Sequence, residues 1–217
     1  MTLPRLYAVL DGDVADRFGW RLHDLARACL AGGARLLQIR AKHLASGPLF
    51  ELSEHIAAAA RAVGARLIVN DRADVAALAG AWGVHVGQED LPPAAIRTSF
   101  GERLAIGLST HTREQIQDAP VDLLSYLAVG PVFQTASKNT GYEPVGLELV
   151  RVAAAASAGR HAVPVVAIGG IDLERAPRVI EAGAASVAVI SDLFTGGDPE
   201  ARTRAYVERL SDDASAR

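Results

Sequence analysis

Residues 36–69 read LLQIRAKHLASGPLFELSEHIAAAARAVGARLIV, and they decide the fold. The stretch opens on a short apolar run at 36–39 and closes on another at 67–69. Between them, residues 48–63 have the composition and apolar spacing of a helix. Pro48 suits a first helical position, with Ser46 or Gly47 before it as the cap. Gly64 follows, where a left-handed helix end favours glycine. The whole reads as one strand–helix–strand unit of a parallel sheet.

The unit recurs in both directions. Short apolar runs stand at 6–10, 36–39, 67–69, 84–86, 104–108, 123–129, 165–168 and 186–190. Ala-, Leu- and Arg-rich helical stretches lie between them, for example 20–31, 48–63, 147–158 and 173–182. No stretch reads as an interdomain linker. Eight strand-then-helix units in 217 residues predict a closed (β/α)8 TIM barrel, one domain over 1–217, near the compact end of that fold. An open doubly wound sheet is the rival. The count of eight favours the barrel. So does the placing of unusual polar residues at the ends of many strands, since an open sheet gathers its site at one switch point.

Composition narrows the function. Hydrophobic residues are 50% of the chain, enough for a sizeable core, and the net charge is −3. No basic field favours nucleic acid, so any anion must be held by a local site. The single cysteine, Cys29, excludes an intrachain disulfide and a thiolate metal cluster. No apolar run reaches the ~20 residues of a membrane span, no secretory leader is legible, and cytoplasmic placement is expected. Of the 22 basic residues only Lys42 and Lys138 are lysines. Arginine is the ordinary cation here, so a lysine suggests a place that wants a compact point charge.

Polar groups at strand ends supply the candidate chemistry. Gln38, Arg40 and Lys42 share one face if the second strand continues that far. Such groups are costly inside an apolar barrel but sensible at its mouth, facing a phosphate or diphosphate. Asn70-Asp71-Arg72 ends the third strand, and Gly87-Gln88-Glu89-Asp90 follows the fourth. Neighbouring strands could bring Asp71 and Asp90 together as a Mg²⁺ site, or each could cap the helix that follows it. After the fifth strand, Thr112 suits a helix cap while Ser109 is freer to face the mouth. His111 could act as acid or base, although lone histidines are more often structural; His85 reads as a packed barrel residue. The long loop from Gly130 to Asn139 carries Thr135, Ser137 and Lys138, suited to an anionic group. Gly169-Gly170 after strand seven and Ile190-Ser191 after strand eight lie where barrels often bind phosphate through backbone N–H groups.

The ordered set resembles the thiamine phosphate synthase family. The matching pieces are YAVLD (7–11), QIRAK (38–42), NDR (70–72), GVHVGQEDLP (83–92), GLSTHT (107–112), GPVFQTASK (130–138), AIGGI (167–171) and VAVIS (187–191). Each is weak alone; the series spans nearly the whole chain. The resemblance implies condensation of an aminopyrimidine methyl diphosphate with a thiazole phosphate, giving thiamine phosphate and diphosphate. It implies that Gln38, Arg40, Lys42 and Asn70, with Ser109 and Lys138, hold the pyrimidine diphosphate. It implies Mg²⁺ on Asp71 and Asp90, the thiazole beside Thr135 and Ser137, and its phosphate on Gly170, Ile190 and Ser191. The expected partners are small phosphorylated substrates, with neither nucleic acid nor membrane. Family members commonly have an acidic residue at Ala41, which should face away from the mouth, and a second threonine at Ser137. Two other readings compete: a thiazole tautomerase of the same fold, and a non-catalytic sensor of a phosphorylated ligand. The tautomerase branch carries a histidine where Pro131 stands and lacks the paired carboxylates.

Overall fold

A computed structural model describes residues 2–134, 143–158 and 162–212. Its eight strands are β1 (Leu6–Asp11), β2 (Leu36–Arg40), β3 (Arg66–Asn70), β4 (Gly83–Val86), β5 (Ala105–Thr110), β6 (Tyr126–Val129), β7 (Val165–Ile168) and β8 (Ser186–Val189). Each pairs in parallel with the next, and β8 returns to β1, closing the barrel. The nine α-helices among the described residues are α1 (Gly12–Arg17), α2 (Leu22–Ala31), α3 (Ser46–Ala62), α4 (Ala73–Leu78), α5 (Pro93–Phe100), α6 (Arg113–Gln117), α7 (Gly146–Ala156), α8 (Ala176–Glu181) and α9 (Pro199–Asp212). Among the described residues no helix is long and apolar enough to cross a membrane.

Registered partners in a parallel ladder face the same side of the sheet. The register couples Val9 to Gln38, Gln38 to Ile68, Asn70 to His85, His85 to Gly107 and Gly107 to Tyr126. These residues, with Tyr7, Ser109, Ala128 and Ala188, therefore form the barrel interior. Gly107 makes room for Tyr126: a Cβ at 107 would lie 2.0 Å from its ring. The alternate residues, such as Leu37, Ile39, Leu67, Val69 and Val84, are buried under the helices. This two-sided burial explains why the strands read as continuous apolar runs.

Three details correct the sequence reading. The cap position of α3 is Ala45, with no side-chain cap, and Ser46 and Gly47 are already helical. The Ser46 hydroxyl instead accepts from Arg72 at 3.0 Å. Strand β2 stops at Arg40, so Lys42 leaves the alternation and sits in the following turn. The run at 123–129 begins with the end of a 3₁₀ turn, Val121–Leu123, before β6 starts at Tyr126. By contrast, Thr112 caps α6, accepting from the Gln115 N–H at 3.2 Å, and Gly64 has φ 70°. Ala41 is partly buried against the core.

Candidate active site

The C-terminal ends of the strands form a polar mouth. Asp11, the last residue of β1, is almost fully buried and has two tasks. Its Oδ1 accepts from the Val14 N–H and caps α1, while its Oδ2 pairs with Arg40 Nη1. Arg40 therefore stands at the mouth already oriented, and its buried Nε has no hydrogen-bond partner among the described residues. Lys42 reaches the same rim from the turn and places Nζ 3.1 Å from Asp71 Oδ2.

Asp71 is the one described non-glycine residue with positive φ, at 62°. Its N–H extends the ladder by donating to the His85 carbonyl at 2.8 Å, and the left-handed turn then directs the side chain to the rim. The next residue, Arg72, turns away and forks onto Asp74 at 2.9 and 2.6 Å. Neither rim carboxylate caps a helix: α4 starts after Arg72 and α5 after Pro92, both without a side-chain cap. Asp90 Oδ2 instead accepts from the Gly87 N–H at 2.7 Å, which folds the loop so that its carboxylate interacts with that of Asp71. Burial raises the Asp71 pKa above the ordinary aspartate value, Lys42 opposes the shift, and the charge of Asp90 adds to it. A carboxyl raised by a neighbouring carboxylate, as Asp71 is, is what a divalent cation relieves. Among the described residues no group of three or more His, Cys, Asp and Glu side chains offers a metal site. The pair suits an ion that completes its shell with substrate oxygens and water.

Below the rim lies a cavity of about 60 Å³ lined by Tyr7, Gln38, His85, Ser109, His111 and Pro131, among others. Gln38 is buried and donates through Nε2 to Tyr7 Oη. Asn70 is buried at the end of β3. Ser109 Oγ meets His85 Nε2 at 2.8 Å. His85 is a packed interior residue bonded through both ring nitrogens. His111 donates from Nδ1 to the Gly130 carbonyl.

Across the mouth a larger groove, about 430 Å³, is lined by Gly169, Gly170, Ile190 and Ser191 together with Arg17 and Arg175. Gly170 has φ 63°, and a Cβ there would meet the Gln134 carbonyl at 2.4 Å, so only glycine lets these backbones approach. Ser191 opens a 3₁₀ turn that is anchored from behind: Asp192 binds Arg202 at 2.7–3.0 Å, Tyr206 Oη and Thr195 Oγ1. Arg175 donates to the Gly170 carbonyl at 2.9 Å and lies 5.0 Å from the centre of the Phe133 ring. Gly169, Ala188 and Ile190 line both the groove and the small cavity, so the two are adjacent.

The structure thus gathers Gln38, Arg40, Lys42, Asn70, Asp71, Asp90 and Ser109 on the β2–β5 side, and Gly170, Ile190 and Ser191 on the β7–β8 side. Thr135, Ser137 and Lys138 lie outside the described residues. Sequence reasoning missed Asp11, Arg17 and Arg175. Asp11 had a readable signal, a carboxylate ending an apolar strand as Arg40 ends the next. The two arginines were hidden among twenty of their kind.

The comparisons with known proteins agree over nearly all of the chain. A family model described as thiamine monophosphate synthase matches residues 6–193. The thiamine-phosphate synthase of Koribacter versatilis is 42% identical over 217 residues, 97% of this chain and 97% of its own. That of Thermus thermophilus is 43% identical over 211 residues, 96% of this chain and 98% of its own. Among solved structures, thiamine phosphate pyrophosphorylase from Pyrococcus furiosus is similar with a TM-score of 0.85 and 28% identity, covering 97% of this chain and 96% of that one. On the strength of this match and these two relatives, the chain belongs to the thiamine monophosphate synthase family.

Proposed function

We propose that the protein condenses an aminopyrimidine methyl diphosphate with a thiazole phosphate, giving thiamine phosphate and diphosphate. The observation that carries this reading is two unlike anion sites sharing one mouth. On one side stand Arg40, Lys42 and the Asp71–Asp90 pair; on the other is the glycine-lined groove, which shares Gly169 and Ile190 with the small cavity that Gln38 and Ser109 line. A sensor of one phosphate needs only the groove.

The donor set at Asp71 and Asp90 fits Mg²⁺, with room left for phosphate oxygens. When bound there, Mg²⁺ would neutralise charge on the diphosphate. Arg40 and Lys42 add fixed cations on the same side, where they favour charge that develops on a leaving group. Gln38 and Asn70 hold the pyrimidine end, and Ser109 contacts the diphosphate. By the family resemblance, Lys138 would join the diphosphate contacts and Thr135 and Ser137 would serve the thiazole. Gly170, Ile190 and Ser191 hold the thiazole phosphate by backbone N–H groups. The C–O bond to diphosphate breaks and its electron pair leaves with the diphosphate. The electron-rich pyrimidine supports the cationic methylene, and the thiazole nitrogen forms the new C–N bond. The chain orients both substrates and excludes water, so this step needs no side-chain nucleophile.

Thermal melting tests the two-site arrangement. The pyrimidine diphosphate is expected to raise the melting midpoint in Mg²⁺ and much less in chelator. The thiazole phosphate is expected to raise it equally in both. At a hundred times its dissociation constant, each ligand contributes about 2.7 kcal/mol. Two ligands equally indifferent to chelator would contradict the metal assignment.

A further inference from the structure

Five side chains cross the barrel interior in one unbroken line. Gln38 Nε2 donates to Tyr7 Oη at 2.6 Å, and Tyr7 Oη lies 3.0 Å from Tyr126 Oη. Tyr126 Oη lies 2.9 Å from His85 Nδ1, and His85 Nε2 lies 2.8 Å from Ser109 Oγ. Burial pushes both phenols above the ordinary tyrosine value, so each keeps its single proton.

One proton per phenol gives the line a direction. Tyr7 accepts from Gln38 and so spends its own proton on Tyr126. Tyr126 in turn donates to His85 Nδ1. The imidazole proton then sits on Nε2 and goes to Ser109 Oγ. The Ser109 hydroxyl keeps its proton for whatever occupies the cavity. At the other end, one amide hydrogen of Gln38 is committed to Tyr7. The carbonyl Oε1 and the second amide hydrogen remain as an acceptor–donor edge.

We propose that Tyr126 and His85 are positioning residues, and that their line selects a pyrimidine bearing an amino group over one bearing an oxo group. The inference rests on the reading that the pyrimidine lies against Gln38. An amide edge of this kind pairs with an amine next to a ring nitrogen, as Gln reads adenine. An oxo ring presents the opposite pattern, a carbonyl next to a ring N–H, and sets acceptor against acceptor. Gln38 cannot simply flip to suit it. A flip requires Tyr7, Tyr126, His85 and Ser109 to reverse together, and Ser109 then loses its free proton.

Two measurements test the line. Nitrogen-15 spectra of the histidine rings, with the signal assigned through His85→Asn, are expected to show the Nε2–H tautomer for His85. The Nδ1–H tautomer would overturn the direction. The second is the ratio of kcat/KM for the amino and oxo pyrimidine diphosphates. It is expected to exceed about 10³ in the wild-type protein, since hydrogen-bonding sites reject mismatched ligands strongly. It is expected to fall at least about tenfold in Tyr126→Phe, which keeps the ring but breaks the line. A purely structural role would slow both substrates alike, and an unchanged ratio overturns the proposal. Should Tyr126→Phe fail to fold, the wild-type tautomer still decides. A wild-type protein that consumes neither pyrimidine overturns the proposed reaction, and the His85 tautomer then decides the direction of the line independently.

Discussion

Replacing Asp71 with asparagine will leave the barrel folded and lower kcat/KM about 10³-fold, on the order of 4 kcal/mol of barrier. The fold survives for a local reason. Asp71 sits at φ 62°, a conformation that asparagine adopts about as readily as aspartate, whereas alanine there would add strain. The ion pair lost with Lys42 is half exposed on the lysine side and contributes little stability. Activity is expected to fall because one of the two carboxylates proposed to hold the cation is gone. Asp90→Asn should behave alike, since its amide oxygen can still accept from the Gly87 N–H at 2.7 Å. Steady-state kinetics at limiting Mg²⁺, beside a melting curve, checks both. Normal turnover in the two variants would remove the metal from the site.

The largest effect on stability is expected at Asp11. Its carboxylate is 1% exposed, pairs with the largely buried Arg40 and caps α1. Asp11→Ala strands the guanidinium without its partner, which in buried pairs costs about 3–5 kcal/mol. The lost cap alone is worth about 1 kcal/mol. Arg40 opens toward the mouth, so the total should fall near 3–4 kcal/mol rather than at the sum. Asp11→Asn keeps an acceptor for the Val14 N–H and should lose less than Asp11→Ala. Urea unfolding measures the difference. An unchanged midpoint in Asp11→Ala would mean that water already satisfies Arg40. The same variant should weaken diphosphate binding, because Asp11 fixes where Arg40 points.

The barrel was legible because each strand is buried on both faces and is followed by a helix, so apolar runs recur with glycine and polar punctuation. Boundaries slipped where a strand's apolar run continued a preceding turn, as at Leu123 before β6. Helix α1 escaped because six residues are too few to show a period. The Ser46/Gly47 cap failed because helical geometry already begins at Ser46, leaving Ala45 at the cap position. At the site, residues that end a strand in polar groups could be read directly, Asp71 and Ser191 among them. The line from Gln38 to Ser109 could not be, since Tyr7 and Tyr126 stand 119 positions apart and meet only when the barrel closes. Gly107 belongs to a motif that the sequence displays. Its reason, the Tyr126 ring lying across it, is visible only in three dimensions.

Product formation is the measurement that decides whether the protein catalyses the condensation. The purified protein would be incubated with both substrates, in Mg²⁺ and in chelator, and thiamine phosphate and diphosphate would be quantified. The two products are expected in equal amounts, dependent on the metal. Folded protein that leaves both substrates intact in Mg²⁺ would contradict the proposed condensation.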